Sequence, residues 1–480
     1  MKLRPRLAPP CAALALAALF HFAAAPAHAG PGDPDDVCRS AFEGDTRATE
    51  RADKAAPIHM VLFGDSIMWG QGLKDRDKFW CRVQQWVELK TRRNVRVRQY
   101  AHAGAVIKHY DPDGKELDER YLRGGGEKKG PGGEGKDGSP VIGREVNISF
   151  PTIVEQVEQA VRDMGGEKGE GTDAQGINLV LVDGCINDVN FRRLLDVENG
   201  VPQIVKVTEE RCGEMKGLLE RITSAFPNAY VVVTGYYPLI FKGVTTEKGK
   251  KVVKGSAHNP VINLAIETLA GDGECKDRGG EGGKGRHKYD CLDALSRAWF
   301  ETSNETLAAA VEGENRRIEE ERRGRGLPAL AAHRVHFAEL NFPPDFAFST
   351  KQSMLWNLRL NATGVGGFRK FVILALDGIR FIETNDDRWD VRGDQCEQAF
   401  RDYAPRVRGH GEITAEQKED FKRFFVFVCR RGSIGHPNKF GALLYAQSIT
   451  ARLQTILPAT GWKMKDDAAA AGGGGEQPQP

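Results

Sequence analysis

Five short strand-like runs, some apolar throughout and one alternating apolar with polar residues, are separated by segments of helical spacing and set the tightest limit on what this chain can fold into. They are Met60–Phe63, Asn94–His102 (NVRVRQYAH), Ile177–Val182 (INLVLV), Ala229–Thr234 (AYVVVT) and Arg334–Leu340 (RVHFAEL). Each has the length of a strand, and the uninterrupted ones have the composition of strands buried on both faces. Between the first two, Arg76–Thr91 places Phe79, Trp80, Val83, Trp86 and Val87 on one helical face, and the tryptophans there read as core. After Pro151 the pattern Ile153, Val154, Val157, Val161 marks another helix, with Ser149 or Thr152 placed to cap it. Helices are also expected over 205–226, 292–323 and 441–457. Strands alternating with helices require crossovers, which are right-handed, and so an α/β chain with a parallel sheet covered on both faces.

The chain opens MKLRPR, runs through an Ala- and Leu-rich stretch from Leu7 to Ala25 and reaches Pro26-Ala27-His28-Ala29. A basic region, an apolar core and a small-residue ending describe a secretory leader over 1–29. Pro9, Pro10 and His21 interrupt the apolar core and disfavour a membrane anchor. No later segment approaches the roughly 18 consecutive apolar residues of a membrane span. An exported chain, periplasmic or secreted, is therefore expected. Of nine cysteines, Cys11 lies in the leader, and an even number remains, as disulfides require. Pairing neighbours gives Cys38–Cys81, Cys185–Cys212, Cys275–Cys291 and Cys396–Cys429, and no C-x-x-C pair indicates zinc. A formal charge of +2 is too small to argue for nucleic acid or an anionic membrane as partner. Nothing in the sequence sets an oligomeric state.

Polar residues 30–56 read as an extended N-terminal arm, ahead of one domain over 57–460. Within it, 111–140, 165–176 and 271–288 are glycine-rich insertions with too few apolar residues to order themselves. The 341–432 segment follows no repeat of the strand–helix scheme and carries Trp356, Trp389 and two cysteines. It reads as a lid or a binding wall. Residues 461–480 form a low-complexity, disordered tail.

Chemistry is concentrated at the strand ends. The first apolar run stops at Gly64-Asp65-Ser66, where Gly64 permits a tight turn and Ser66 falls in the strand-to-helix connection. Ligands of open α/β sheets bind beyond this end of the strands. The second run ends in Ala103-Gly104-Ala105 and the third in Gly184-Cys185-Ile186-Asn187-Asp188, and in a parallel sheet all three ends share one edge. A nucleophile there needs a base and donors aimed at a developing oxyanion. Gly104 lets a substrate oxygen approach its backbone N–H, and Asn187 offers a neutral amide. Among the histidines, His59 reads as structural, while His333 and His336 point to opposite faces of a strand and make no metal pair. His102, beside the Gly104 turn, stays open as a cleft residue. His436, in Ser433-Ile434-Gly435-His436-Pro437-Asn438 ahead of the last helix, is the stronger candidate base. No G-x-G-x-x-G or P-loop follows any strand, so no nucleotide cofactor is indicated. The G-x-S-x-G elbow is absent as well.

In order, the GDS turn, the Gly104 turn, the Gly184–Asp188 block and the His436-Pro437-Asn438 block resemble the GDSL, or SGNH, hydrolase family, over roughly 58–457. The resemblance implies a flavodoxin-like three-layer α/β/α sandwich with a five-stranded parallel sheet, and ester hydrolysis without metal or cofactor. It implies Ser66 as nucleophile, His436 as general base and then general acid, and an oxyanion hole made by the Ser66 and Gly104 N–H groups with the Asn187 side chain. Gly64, Asp65, Gly184 and Asp188 would support the turns. Esters of small molecules, of lipids and of acylated carbohydrates are the substrates such a relationship implies.

Two departures bear on mechanism. The family's last block reads D-x-x-H, and here Ser433 stands in place of the aspartate that orients the histidine. A hydroxyl can accept an imidazole N–H, yet it cannot stabilise an imidazolium as a charge does. That leaves three readings: a Ser66–His436 dyad oriented by a backbone carbonyl, an acid recruited from elsewhere, or a weakened enzyme. The third block has one residue more than G-x-N-D, which bears on Gly184 rather than Asn187. Two functional readings follow: an exported serine hydrolase of carboxylic esters, and a catalytically impaired binding protein of the same fold.

Overall fold

The computed structural model describes residues 37–109, 144–147, 149, 151–165, 174–241, 243–247, 250–254, 286–348, 350, 352–360, 382–384, 386–403, 422 and 425–462. The expected leader, the 111–140 insertion, Cys275 and nearly all of the 461–480 tail lie outside them. The insertions at 165–176 and 271–288 are described only at their edges.

All five runs become strands of one sheet: β1 (Ile58–Phe63), β2 (Val95–Gln99), β3 (Leu179–Val182), β4 (Tyr230–Thr234) and, after two hairpin strands β5 (Gly243–Glu247) and β6 (Lys250–Lys254), β7 (Val335–Ala338). Their order in space is β2-β1-β3-β4-β7. Every pairing in it is parallel, from Ile58 opposite Val95 and Met60 opposite Leu179 to Val231 opposite Val335. The order reverses direction at β1, so a crevice opens beside the carboxyl end of β1, where Ser66 lies. β3 is buried at every position and β1 at all but His59, as expected for strands covered on both faces.

The helices are α1 (Thr46–Asp53), α2 (Ser66–Trp69), α3 (Phe79–Thr91), α4 (Ile153–Gly165), α5 (Ile186–Val189), α6 (Phe191–Leu195), α7 (Val201–Cys212), α8 (Met215–Ala225), α9 (Arg286–Gly324), α10 (Trp389–Tyr403) and α11 (Lys439–Ile456). α3 and α11 pack together on one face of the sheet, with Phe79 stacked on Tyr445 at 5.2 Å. α4, α8 and α9 cover the other face. The result is the three-layer α/β/α sandwich. A further pair of short strands, β8 (Leu358–Leu360) and β9 (Ile382–Thr384), forms an antiparallel ribbon within the 341–432 segment.

Three local expectations change. The N-terminal arm is not extended throughout, because Asp45 caps α1 by accepting the Ala48 N–H, and Ser40 and Ala41 hydrogen-bond Glu88 of α3. The single helix expected over 205–226 is two, α7 and α8. It breaks at Gly213, a poor helix former that directly follows the disulfide-bonded Cys212. Arg76–Thr91 begins as a turn of 3₁₀ helix at Asp75–Asp77 before α3. Three disulfides form as paired from sequence: Cys38–Cys81, Cys185–Cys212 and Cys396–Cys429. Cys291 is also disulfide-bonded. No helix among the described residues is long and apolar enough to cross a membrane.

Of the two candidate caps for α4, Thr152 makes a reciprocal capping box. Its Oγ1 accepts the Glu155 N–H at 3.2 Å, and Glu155 Oε2 accepts the Thr152 N–H at 2.9 Å. Thr152→Ala is expected to lower unfolding stability by about 1–2 kcal/mol, measured by chemical denaturation, and an unchanged midpoint would remove the cap from the account.

Candidate active site

Ser66 is set by the turn before it. Gly64 has φ of +150°, and a Cβ there would lie 1.8 Å from Asp183 Oδ1, so only glycine fits. Asp65 then caps α2: its Oδ1 accepts the Ile67 N–H at 2.8 Å, and its Oδ2 accepts the Tyr236 hydroxyl at 3.1 Å. The Asp65 N–H donates to Asp183 Oδ1 at 2.8 Å. Ser66 opens the helix, so its own N–H has no intrahelical acceptor. Burial pushes Asp65 up to about 6, against the pull of the Ile67 N–H and the Tyr236 hydroxyl. Burial, and then the Asp65 charge, push Asp183 well above the usual carboxylate range. Two carboxyl groups in one buried site cannot both ionise readily, and of the two Asp183 is pushed further toward its neutral form.

The second and third blocks are stitched to the first. The His102 N–H donates to Gly64 O at 3.1 Å, and the Ala105 N–H closes a turn onto His102 O at 3.1 Å. Gly104 stands in that turn with φ of +85°, a conformation that favours glycine. Asn187 Nδ2 donates to Ala105 O at 2.9 Å, which fixes the amide beside the Gly104 turn and leaves its second N–H for another acceptor. Both oxygens of Asp188 accept the Ile107 N–H, at 2.9 and 3.1 Å. Burial raises Asp188 to about 7. The extra residue of the third block is absorbed by backbone: Gly184 has φ of +153° and Cys185, a non-glycine residue, φ of +126°. The Cys185–Cys212 disulfide holds that conformation from the side of α7. His102 turns its Nδ1 onto Ala103 O at 2.9 Å.

His436 reaches Ser66 directly: Nε2 lies 2.6 Å from Ser66 Oγ, across a sequence separation of 370. Its loop is held on three sides. Tyr237, just after β4, donates its hydroxyl to Gly435 O at 2.7 Å. The Gly435 N–H donates to Trp356 O at 3.1 Å, and the Trp356 N–H to His436 O at 2.8 Å. Asn438 caps α11 by accepting the Phe440 and Gly441 N–H groups. The 352–357 stretch of the 341–432 segment therefore runs as a strand-like backing behind the histidine.

The other imidazole nitrogen, His436 Nδ1, is buried and has no hydrogen-bond partner among the described residues. Ser433, the candidate orienter, turns away from it: its hydroxyl donates to Asp386 Oδ2 at 2.7 Å. Asp386 Oδ2 also accepts from Arg392 Nη2 at 2.5 Å and from Thr384 Oγ1. Arg392 in turn donates through Nη1 to Glu145 Oε2 at 3.0 Å, through Nη2 to Ser433 Oγ at 3.1 Å, and through Nε to Arg430 O at 2.8 Å. Glu145 accepts the Trp69 indole N–H and the Gly72 N–H, both just downstream of Ser66. The side chains of Asp386 and Arg392 are fully buried and that of Glu145 nearly so. Burial drives His436 down to about 4; the Ser433 and Ile434 carbonyls oppose this, Arg392 adds to it and Asp386 opposes it.

Sequence reasoning missed Glu145, Asp386 and Arg392. A search three residues before the histidine cannot find a carboxylate fifty residues upstream, and Glu145 follows a glycine-rich insertion with no flanking pattern. The Val182-Asp183-Gly184 ending of β3 did carry a signal, an acid closing an apolar strand.

No protein-family model matches the sequence, and no curated protein matches it significantly. Three solved structures are similar in arrangement. An extracellular lipase from Streptomyces rimosus shares 13% identity, covering 62% of this chain and 87% of that one with a TM-score of 0.30. A phospholipase A1 from Streptomyces albidoflavus shares 12%, covering 65% and 91%, with a TM-score of 0.28. A family two carbohydrate esterase from Clostridium thermocellum shares 10%, covering 62% and 59%, with a TM-score of 0.26. These are likenesses of fold.

A base depressed to about 4 stays neutral, and so able to take a proton, until the pH falls to that region. The rate of covalent labelling of Ser66 by a fluorophosphonate is therefore expected to hold constant in mild acid and to fall with an apparent pKa well below the 6.5 of an ordinary histidine. A limb at 6.5 or above would contradict the burial argument.

Proposed function

We propose that this chain is an exported serine hydrolase of the SGNH type that cleaves carboxylic esters. The observation that carries the reading is the 2.6 Å hydrogen bond from Ser66 Oγ to His436 Nε2 at the carboxyl edge of the sheet. Ser66 Oγ attacks the ester carbonyl while its proton passes to His436 Nε2. The oxyanion that forms is stabilised by the Ser66 and Gly104 N–H groups and the free N–H of Asn187. Collapse of the tetrahedral intermediate expels the alkoxide, which takes the proton from His436 and leaves an acyl group on Ser66. Water, deprotonated by the same imidazole, then releases the acid and restores the serine.

Export is supported by the leader pattern over 1–29 and by disulfides in the described residues. The substrate is read as a small-molecule, lipid or acylated-carbohydrate ester, with no nucleic acid, cofactor or metal in the reaction. Ser433 in place of the aspartate that would face the imidazole favours the second reading, an impaired binding protein. The intact Ser66, Gly104, Asn187 and His436 set favours the enzyme.

Wild-type protein is expected to react with a fluorophosphonate and to hydrolyse a short-chain aryl ester. Ser66→Ala should abolish labelling and lower turnover at least about 10⁴-fold. Asn187→Ala should lower kcat by about 100- to 1,000-fold with a smaller change in KM. Wild-type protein that neither labels nor turns over between about pH 6 and 9 would favour the binding protein instead.

A further inference from the structure

The buried group Glu145, Arg392, Asp386 and Ser433 has no assigned role, and it sits between the two loops that carry Ser66 and His436. Its connections run both ways. Toward the nucleophile, Glu145 accepts the N–H of Gly72 at 3.2 Å and the indole N–H of Trp69 at 3.0 Å. The Asp387 N–H also donates to Gly72 O at 3.0 Å. Toward the base, Asp386 takes the Ser433 hydroxyl, and Ser433 O accepts the His436 N–H at 2.9 Å, closing the turn that presents the imidazole. The Cys396–Cys429 disulfide joins α10, which carries Arg392, to the helical residues just before Ser433.

We infer that the Arg392–Asp386 ion pair, acting through Ser433, is the positioning element of the catalytic base, in the place where a carboxylate would otherwise contact the imidazole. The inference rests on the reading of His436 as that base. Asp386 and Arg392 are positioning residues, since neither touches Ser66 or the His436 ring nitrogens.

Charge makes the inference testable. The charges that act on the His436 ring are Arg392 and Asp386 from the 341–432 segment; Glu145 from 144–147 pairs with Arg392, and Arg388 lies 3.9 Å from Glu145. On its own helix side stands Lys439, held by Asp77 at 3.1 Å and Asp387 at 3.0 Å. Tyr237 faces the loop as a neutral hydroxyl donor. Arg392 disfavours the imidazolium and Asp386 favours it, so the pair acts on His436 as two opposed charges. Removing one member leaves the other exposed to the ring, and the two removals have opposite signs.

The test follows fluorophosphonate labelling against pH, with the His436 Cε1–H titrated by NMR in parallel and the thermal midpoint as a fold control. Asp386→Asn leaves Arg392 unbalanced by its nearer partner. The acid limb should move down by about half to one pH unit and labelling at neutral pH should slow about tenfold. Arg392→Gln leaves Asp386 facing Ser433, and the limb should move up by a similar amount. Because that change also strips Glu145 of its nearer cation and leaves only Arg388 at 3.9 Å, Glu145→Gln with Arg392→Gln is the second variant, with the same upward shift expected. Arg392→Lys, which keeps the charge, should leave the limb in place.

Folded variants whose limbs stay put, or both move the same way, overturn the inference even if all of them lose rate. If the wild type does not label at all, the enzyme reading fails, and the NMR titration still decides whether the pair governs the His436 proton. Unmoved imidazole titrations in Asp386→Asn and in the double variant would overturn it in that case too.

Discussion

One guanidinium holds the two halves of this site together. Arg392 lies fully buried between Glu145 and Asp386, at 3.0 and 2.5 Å. A buried charge is tolerated only when its partners and remaining donors are satisfied, and here the Nε also finds the Arg430 carbonyl. Breaking such a group typically costs about 3–5 kcal/mol, because the partner left behind stays buried and charged. The Ser66 loop is tied to Glu145, and the His436 loop to Asp386 through Ser433. The Ser66–His436 hydrogen bond thus joins two loops that are both tied to one side chain contributed by neither.

The sheet was legible in the sequence because each strand is short and apolar or alternating, and β1, β2 and β3 lead into glycine turns. Gly64, Gly104 and Gly184 all mark places where a backbone turns sharply at the carboxyl edge, and the parallel order then forces Ser66 and Asn187 to one side. His436 was legible for a related reason: Pro437 and Asn438 announce a helix start, and a residue just before a helix that returns to the sheet lies over the strand ends. Three of the disulfides follow from simple neighbour pairing, since each closes a loop between elements that pack side by side. The division of 205–226 at Gly213 was not read, because the apolar stripe continues across the break.

What stayed hidden is the chemistry that crosses the chain. Asp386 and Glu145 lie beside glycine-rich or irregular stretches in which no periodicity fixes a side chain's direction. Their roles come from burial and from Arg392, and neither is a property of local sequence. Asp183 shows the same limit in a milder form. The acid at the end of β3 is visible, yet only the 1.8 Å approach of its Oδ1 to the missing Cβ of Gly64 shows why no side chain fits at position 64.

The serine at 433 follows from the same arrangement. With Glu145 and Asp386 already sharing Arg392, an aspartate at 433 would bring a third carboxylate against one guanidinium. The surplus negative charge would have to be buried or protonated. A hydroxyl donates to Asp386 and accepts from Arg392 without adding charge. The consequence for the base has two opposing parts. An imidazole held near 4 instead of 6.5 loses on the order of 3 kcal/mol of imidazolium stabilisation, which weakens proton abstraction from Ser66. The same depression keeps the base neutral in acid, where a histidine paired with a carboxylate would already be protonated. On the proposed ester-hydrolase reading, a base that gives up imidazolium stabilisation leaves more of the transition-state charge to the proposed oxyanion donors, the Ser66 and Gly104 N–H groups and Asn187. The backbone beside those donors is held by the Asn187–Ala105 and Asp188–Ile107 hydrogen bonds and by a disulfide at Cys185, a non-glycine residue with φ of +126°, so on that reading the donors are fixed before substrate binds.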